Sequence, residues 1–123
     1  NLAGIAELTA SAARAGAELV LFPEYSAFFG GPLGAHWVAA AEPLDGPFVT
    51  GLADIARRHD ITLVAGMLET ASRSDRFRNT IVALSPEGEL VHVTRKLHLY
   101  DAFGQTESDW AEAGELGEAS TIT

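Results

Sequence analysis

Two carboxylates and one ammonium group stand out among the 123 residues of the chain. Glu24 follows the apolar run Glu18-Leu19-Val20-Leu21-Phe22 and Pro23. Its side chain is therefore expected at the C-terminal end of a strand, where open α/β sheets place their ligand crevices. Walled by Phe22, Tyr25 and Phe28, a carboxylate there suits a general base; from position alone it equally fits a loop residue that caps a backbone N–H or faces water. Lys96, in Arg95-Lys96-Leu97-His98-Leu99, is the only lysine of the chain. A compact ammonium at a strand end beside a carboxylate can stabilise charge developing on a reacting oxygen or nitrogen. The plain alternative is a solvated strand-terminal lysine. Glu107, in Gly104-Gln105-Thr106-Glu107-Ser108, reads by itself as a surface-loop carboxylate.

The elements that must position these residues follow from periodicity and punctuation. Asn1 can cap a helix carrying Ile5, Leu8, Ala12 and Ala15 on one apolar face, with Gly16 as its stop. Residues 18 to 22 read as a short buried strand ended by Pro23. Residues 23 to 35, with Phe28-Phe29-Gly30-Gly31-Pro32, read as a long loop with exposed or site-lining aromatics. At Asp45-Gly46-Pro47 the residue types of an N-cap and an N1 proline open a second helix, which carries Phe48, Leu52, Ile55, Ala56 and His59 on one face and ends near Asp60. Ile61 to Gly66 form the next strand. The runs at residues 80 to 84 and 90 to 93 then flank Ser85-Pro86-Glu87-Gly88, a type I turn sequence, and read as an antiparallel hairpin. From Asp101 the chain is expected to be loop-like until Ser120-Thr121-Ile122-Thr123, which reads as the beginning of a strand. A mixed sheet with helices on one face results, and because its strands are apolar on both faces, the second face must meet something else.

Composition narrows the function classes. Seventeen acidic against eight basic residues give a formal charge of -9, which disfavours phosphate backbones and anionic lipid surfaces, so neither nucleic acid nor membrane is expected as a partner. No apolar stretch approaches a membrane span and no signal-peptide pattern opens the chain, so a cytoplasmic location is expected. The absence of cysteine leaves no thiolate nucleophile, zinc ribbon or disulfide inside these residues. His36, His59 and His92 lack ligand spacing, and Gly30, Gly31 and Gly34 lack the context of a phosphate loop, so no metal and no nucleotide cofactor are expected. Arg95 is expected to tie its strand end to an acidic neighbour, and His98 and Asp101 to orient the loop after Lys96. Phe28, Phe29 and Trp37 read first as core or subunit contacts.

Three segments in register carry a family resemblance: Gly16-Ala17-Glu18-Leu19-Val20-Leu21-Phe22-Pro23-Glu24-Tyr25-Ser26, then Arg95-Lys96-Leu97-His98-Leu99-Tyr100-Asp101, then Glu107-Ser108. Together with Gly66, Glu69 and Asn79-Thr80 between them, they resemble the nitrilase, or carbon-nitrogen hydrolase, superfamily, and the likeness runs over essentially the whole chain. It implies an α/β fold, the nitrilase-like α-β-β-α sandwich in which mixed sheets pack face to face with helices outside. Residues 1–123 would be the N-terminal part of a single such domain, with both ends cut within the expected element order.

The resemblance further implies Glu24 as general base, Lys96 as the stabilising cation and Glu107 as an additional glutamate that orients Lys96 or the substrate. The family's cysteine nucleophile would lie beyond Thr123. The implied reaction is cleavage of a non-peptide C–N bond in a small linear amide, releasing ammonia through a thioester, with no cofactor. Nitrile hydrolysis and N-carbamoyl amide hydrolysis are the alternatives within the family, and a noncatalytic binding module of the same fold is the alternative outside enzymes. Homo-oligomers built through the helical layers are implied as well.

Overall fold

The computed structural model describes residues 1–117. The strand expected at residues 120 to 123 lies outside the described residues. Helix α1 (Leu2–Arg14) opens the chain and strand β1 (Leu19–Leu21) follows. Between them the Gly16 N–H donates to Ala13 O and the Ala17 N–H to Ala12 O, with Gly16 at φ 87°. This is a Schellman stop, and it requires a residue that tolerates the left-handed region. The short helix α2 (Ala35–Ala39) and helix α3 (Pro47–His59) precede three longer strands, β2 (Thr62–Thr70), β3 (Phe77–Leu84) and β4 (Leu90–Arg95). The strands form one sheet in the order β1-β2-β3-β4, with β1 parallel to β2 and the other pairs antiparallel. A two-residue ribbon, β5 (Asp101–Ala102) with β6 (Gln105–Thr106), leads into a single 3-10 turn at Glu107–Asp109.

Alternation along the strands assigns the two faces of the sheet. Leu63, Ala65 and Met67 of β2, with Val82 and Leu84 of β3, point to the helices and pack against Ile5 of α1 and Phe48, Leu52, Ile55 and Ala56 of α3. Each such side chain contributes on the order of 1.5–3 kcal/mol by leaving water. The helices approach closely where Gly51 of α3 meets Leu2 of α1. A second cluster on the other face gathers Leu68 of β2, Phe77 of β3, Trp37 of α2 and Ala111. A mixed sheet with helices over one face was the expectation; the two long helices α1 and α3 cover one face as expected, while the short α2 lies on the other.

Several local expectations need correction. Leu8 is 62% exposed and the buried positions of α1 are Ile5 and Thr9, because α1 lies over α3 through its Leu2–Ile5–Ala6–Thr9 side. Residues 18 to 22 do not form a fully buried strand: β1 is the sheet edge, Leu19 and Leu21 stand exposed, and Val20 and Phe22 are the residues that face the core. Asp45 does not cap α3. Gly46 holds the N-cap position, and Glu42 Oε2 accepts the Phe48 N–H at 2.7 Å from outside the helix. The strands after α3 run longer than their apolar stretches, because polar residues Glu69, Arg78 and Asn79 continue the ladder. The segment after Asp101 contains the β5–β6 ribbon that its composition did not suggest.

Candidate active site

Pairing carries Glu24 to its place. The Phe22 N–H donates to Val64 O at 2.8 Å, which extends β1 along β2, and Pro23 then ends the ladder because it has no N–H to give. The chain next crosses the face of the sheet directly over Gly66. A Cβ on Gly66 would lie 2.8 Å from Tyr25 N and 3.0 Å from both Glu24 Cα and Pro23 O. Glycine alone permits this crossing. The Ala27 N–H donates to Gly66 O at 3.1 Å and fastens the far side of the turn. Within it, Tyr25 adopts φ 60°, a left-handed conformation rare for an aromatic residue.

Lys96 follows the last residue of β4 and keeps the sheet register, since its N–H donates to Asn79 O at 2.8 Å. Alternation therefore sends the side chains of Arg95 and Lys96 to opposite faces. Arg95 turns to the helix side and binds Glu69 through two nitrogens, Nε to Oε2 at 2.7 Å and Nη2 to Oε1 at 2.5 Å. This is the acidic tie expected of Arg95. Lys96 turns to the other side, toward Glu24 and Glu107.

The three sequence-selected residues meet there. Lys96 Nζ lies 3.1 Å from Glu24 Oε1 and 3.0 Å from Glu107 Oε2. Glu107, far from a surface-loop carboxylate, is 2% exposed, because the 3-10 turn it opens folds back under the ribbon. Its Oε1 accepts from the Tyr25 hydroxyl at 2.8 Å and from Asn79 Nδ2 at 3.3 Å, and its Oε2 also accepts from the Tyr100 N–H at 2.6 Å. Asn79 Nδ2 reaches Glu24 Oε1 as well and so joins the two carboxylates. Asp101 Oδ1 accepts the Ser108 N–H at 3.0 Å, which orients the loop after the lysine as anticipated.

The electrostatics divide the roles. Burial raises the Glu107 carboxyl pKa, but the hydrogen bonds from Tyr100, Lys96, Tyr25 and Asn79 outweigh it and hold the group below its ordinary range. Burial pulls the Lys96 ammonium down, yet Glu107 and Glu24 together keep it above the usual lysine value and therefore charged. Burial, and then the bond to Glu107, push the Tyr25 phenol well above its ordinary value, so it remains a donor. Glu24 differs from Glu107. Its side chain is 51% exposed, and both of its hydrogen bonds fall on Oε1, so among the described residues Oε2 has no partner. Of the three walls expected around Glu24, Tyr25 lines the same cavity, Phe28 packs against the Trp37 cluster and Phe22 belongs instead to the core on the helix side of the sheet.

Glu24, Lys96 and Glu107 line a cavity of about 710 Å³, whose other walls include Phe29, Leu33, Trp37, Tyr100 and Trp110. Trp37 is held by its Nε1–H donating to Pro32 O at 3.0 Å and by Tyr25 standing edge-on, 5.0 Å between ring centres. The loop aromatics thus include both core and cavity residues, Trp37 being buried and Phe29 75% exposed. Among the described residues, no group of three or more His, Cys, Asp or Glu side chains could hold a metal ion, and no helix is long and apolar enough to cross a membrane.

Sequence reasoning assigned no role to Asn79 and took Tyr25 only as a wall. A signal existed for Asn79, which with Thr80 is among the positions that carry the family resemblance. Nothing in the sequence revealed the Tyr25–Glu107 bond, which depends on the left-handed turn over Gly66.

This arrangement can be set beside known proteins. The family model for carbon-nitrogen hydrolase matches residues 1–122. A hydrolase of Mycobacterium tuberculosis is 41% identical over 111 residues, covering 88% of this chain and 38% of that protein. The omega-amidase NIT2-B of Xenopus laevis is 32% identical over 102 residues, covering 82% and 36% respectively. Among solved structures, an amidase from Nesterenkonia sp. superposes with a TM-score of 0.75 at 26% identity, covering 94% of this chain and 42% of that one. The chain spans less than half the length of each of these relatives.

Proposed function

Because the chain belongs to the carbon-nitrogen hydrolase family of the nitrilase superfamily, we propose that it forms the Glu and Lys half of an amidase site acting on small linear amides. The observation that carries this reading is the Lys96 ammonium held between two carboxylates of unequal freedom at the wall of one cavity. The third participant would be a cysteine beyond Thr123. Glu24, with its unpartnered oxygen, takes the thiol proton. The thiolate then forms a bond to the amide carbon, and the C=O electron pair moves onto oxygen. Lys96 stabilises that oxyanion, as a preorganised donor does in a site shielded from water. Collapse of the intermediate breaks the C–N bond, and Glu24 returns its proton to the departing ammonia. Water next attacks the thioester while Glu24 accepts its proton, and release of the carboxylic acid restores the thiol.

Glu107 takes no proton in this scheme. With four donors directed at its two oxygens, it serves as a fixed anion that holds Lys96 in line. No metal or organic cofactor enters these steps. The same groups could act on a nitrile, with charge developing on nitrogen instead of oxygen, but the amidase relatives favour an amide. The test is ammonia release by the full-length protein from a panel of small linear amides, before and after thiol alkylation. The expected result is turnover that alkylation abolishes. Turnover insensitive to alkylation, or none on any amide or nitrile, would overturn the reading.

A further inference from the structure

The crossing over Gly66 gives the residue after Glu24 a part of its own. We infer that Tyr25 is a positioning residue: its hydroxyl fixes the Glu107 carboxylate, and through it the Lys96 ammonium, at the wall of the cavity. The inference rests on the amidase reading of this site and adds a residue to it. The two oxygens of Glu107 are served by different groups. Oε2 takes Lys96 Nζ at 3.0 Å and the Tyr100 N–H at 2.6 Å. Oε1 takes the Tyr25 hydroxyl at 2.8 Å, and its other donor is Asn79 Nδ2 at 3.3 Å, an amide that also serves Glu24. Without the hydroxyl, Oε1 keeps one long, shared bond, and the carboxylate, anchored only through Oε2, loses the short bond that fixes its orientation toward Lys96.

The backbone points the same way. An aromatic residue at φ 60° costs conformational energy that persists only where surrounding structure over-determines it. Here the Gly66 approach fixes the main chain, while Trp37 and Phe77 clamp the ring by edge contacts at 5.0 and 6.4 Å. The ionisable side chains turned toward Glu107 are Lys96 from the end of β4, with Glu24 and Tyr25 from the loop after β1. Tyr25 is the neutral donor of that set and stays protonated throughout the working pH range. Its bond therefore persists whatever the protonation of Glu24.

Tyr25→Phe in the full-length protein removes the hydroxyl and keeps the ring. Carboxyl-carbon NMR of the glutamate-labelled protein, with Glu107→Gln to assign the resonance, reads the titration of Glu107 directly. The expected result is an upward movement of its midpoint by on the order of one pH unit, since a hydrogen bond to an ionised group is lost. Along with it, kcat on a small amide should fall about tenfold while KM stays within about twofold, the pattern of a group that acts through another. An unmoved midpoint overturns the inference, and so does a raised KM at unchanged kcat, which would make Tyr25 a substrate contact. If Tyr25→Phe fails to fold, ring-carbon NMR of the tyrosine-labelled wild-type protein decides: a Tyr25 phenol that titrates at the ordinary value of about 10 contradicts the clamp, and one still protonated well above that value supports it. Should the wild-type protein cleave no amide, the hydrolase reading fails while the carboxyl titration still settles the role of Tyr25.

Discussion

Arg95 and Lys96 are neighbours in the chain and serve opposite faces of one sheet, where each meets glutamate on very different terms. On the helix face, Arg95 grips Glu69 with two nitrogens, and Thr80 Oγ1 adds a third donor at 2.7 Å. Burial would raise the Glu69 carboxyl, but Arg95 and Thr80 hold it below its ordinary range. That cluster joins β2, β3 and β4 and is closed: one cation, one anion, each oxygen served. On the other face one ammonium stands between two carboxylates, and one of these keeps an oxygen without a partner among the described residues, beside a cavity. The same ingredients thus make a structural rivet in one place and the proposed reactive site in the other. What separates them is unmet hydrogen-bonding capacity next to open space, not the presence of charge.

The contrast can be broken at either face. Lys96→Met in the full-length protein should lower kcat by on the order of 10²–10³ or more, the loss seen when an oxyanion donor is deleted, with a smaller loss of thermal stability than Glu69→Ala because Glu107 keeps three other donors. Amide turnover and a melting curve on one preparation check both halves of that statement. Glu69→Ala should do the reverse, because it strands Arg95 in a partly buried position and costs about 3 kcal/mol of stability, readable by urea denaturation. Turnover per folded molecule should fall much less than in the Lys96 variant. If instead Glu69→Ala proved stable and inactive, the division between rivet and site would be wrong.

Gly66→Ala sharpens the comparison, since it moves the site without touching a charged group. The added Cβ must displace the Glu24–Tyr25 backbone, and a shift approaching 1 Å is enough to cost about 10²-fold in rate. Steady-state kinetics together with urea denaturation would separate that loss from a fold defect.

The smallest effect is on pH dependence. Glu107 and Glu69 both have folded pKa values below the ordinary carboxylate value of 4.5, so each contributes stability that is fully present above that value and lost as pH falls through its folded pKa. Denaturation midpoints measured downward from pH 6 should therefore decline below about pH 4.5. Glu107→Gln should show a shallower decline than the parent protein.

Much of this architecture could be read from residue order because its determinants are local. The Gly16 stop, Pro47 at the start of α3 and the Ser85–Gly88 turn each act within a few residues, and the structure places its boundaries there. Glu24 and Lys96 stand out by type and position, Glu107 only through the family likeness, and the fold brings both carboxylates within hydrogen-bond reach of Lys96. What escaped depends on distant partners. The exposure of Leu19, Leu21 and Leu8 reflects which surfaces the helices leave uncovered, which periodicity alone does not report. The burial of Glu107 and the Tyr25 bond arise from contacts between segments far apart in the chain, and the cap of α3 comes from Glu42, a carboxylate outside the Asp-Gly-Pro signal that the sequence offered.

The most direct test of the proposed site is ammonia release in a single turnover, comparing the full-length parent with Glu24→Gln. The parent should release close to one equivalent of ammonia per site in a burst, and the variant none within the same time, with superimposable melting curves. A burst from Glu24→Gln equal in rate and amplitude to the parent's would contradict the assignment of Glu24 as the base.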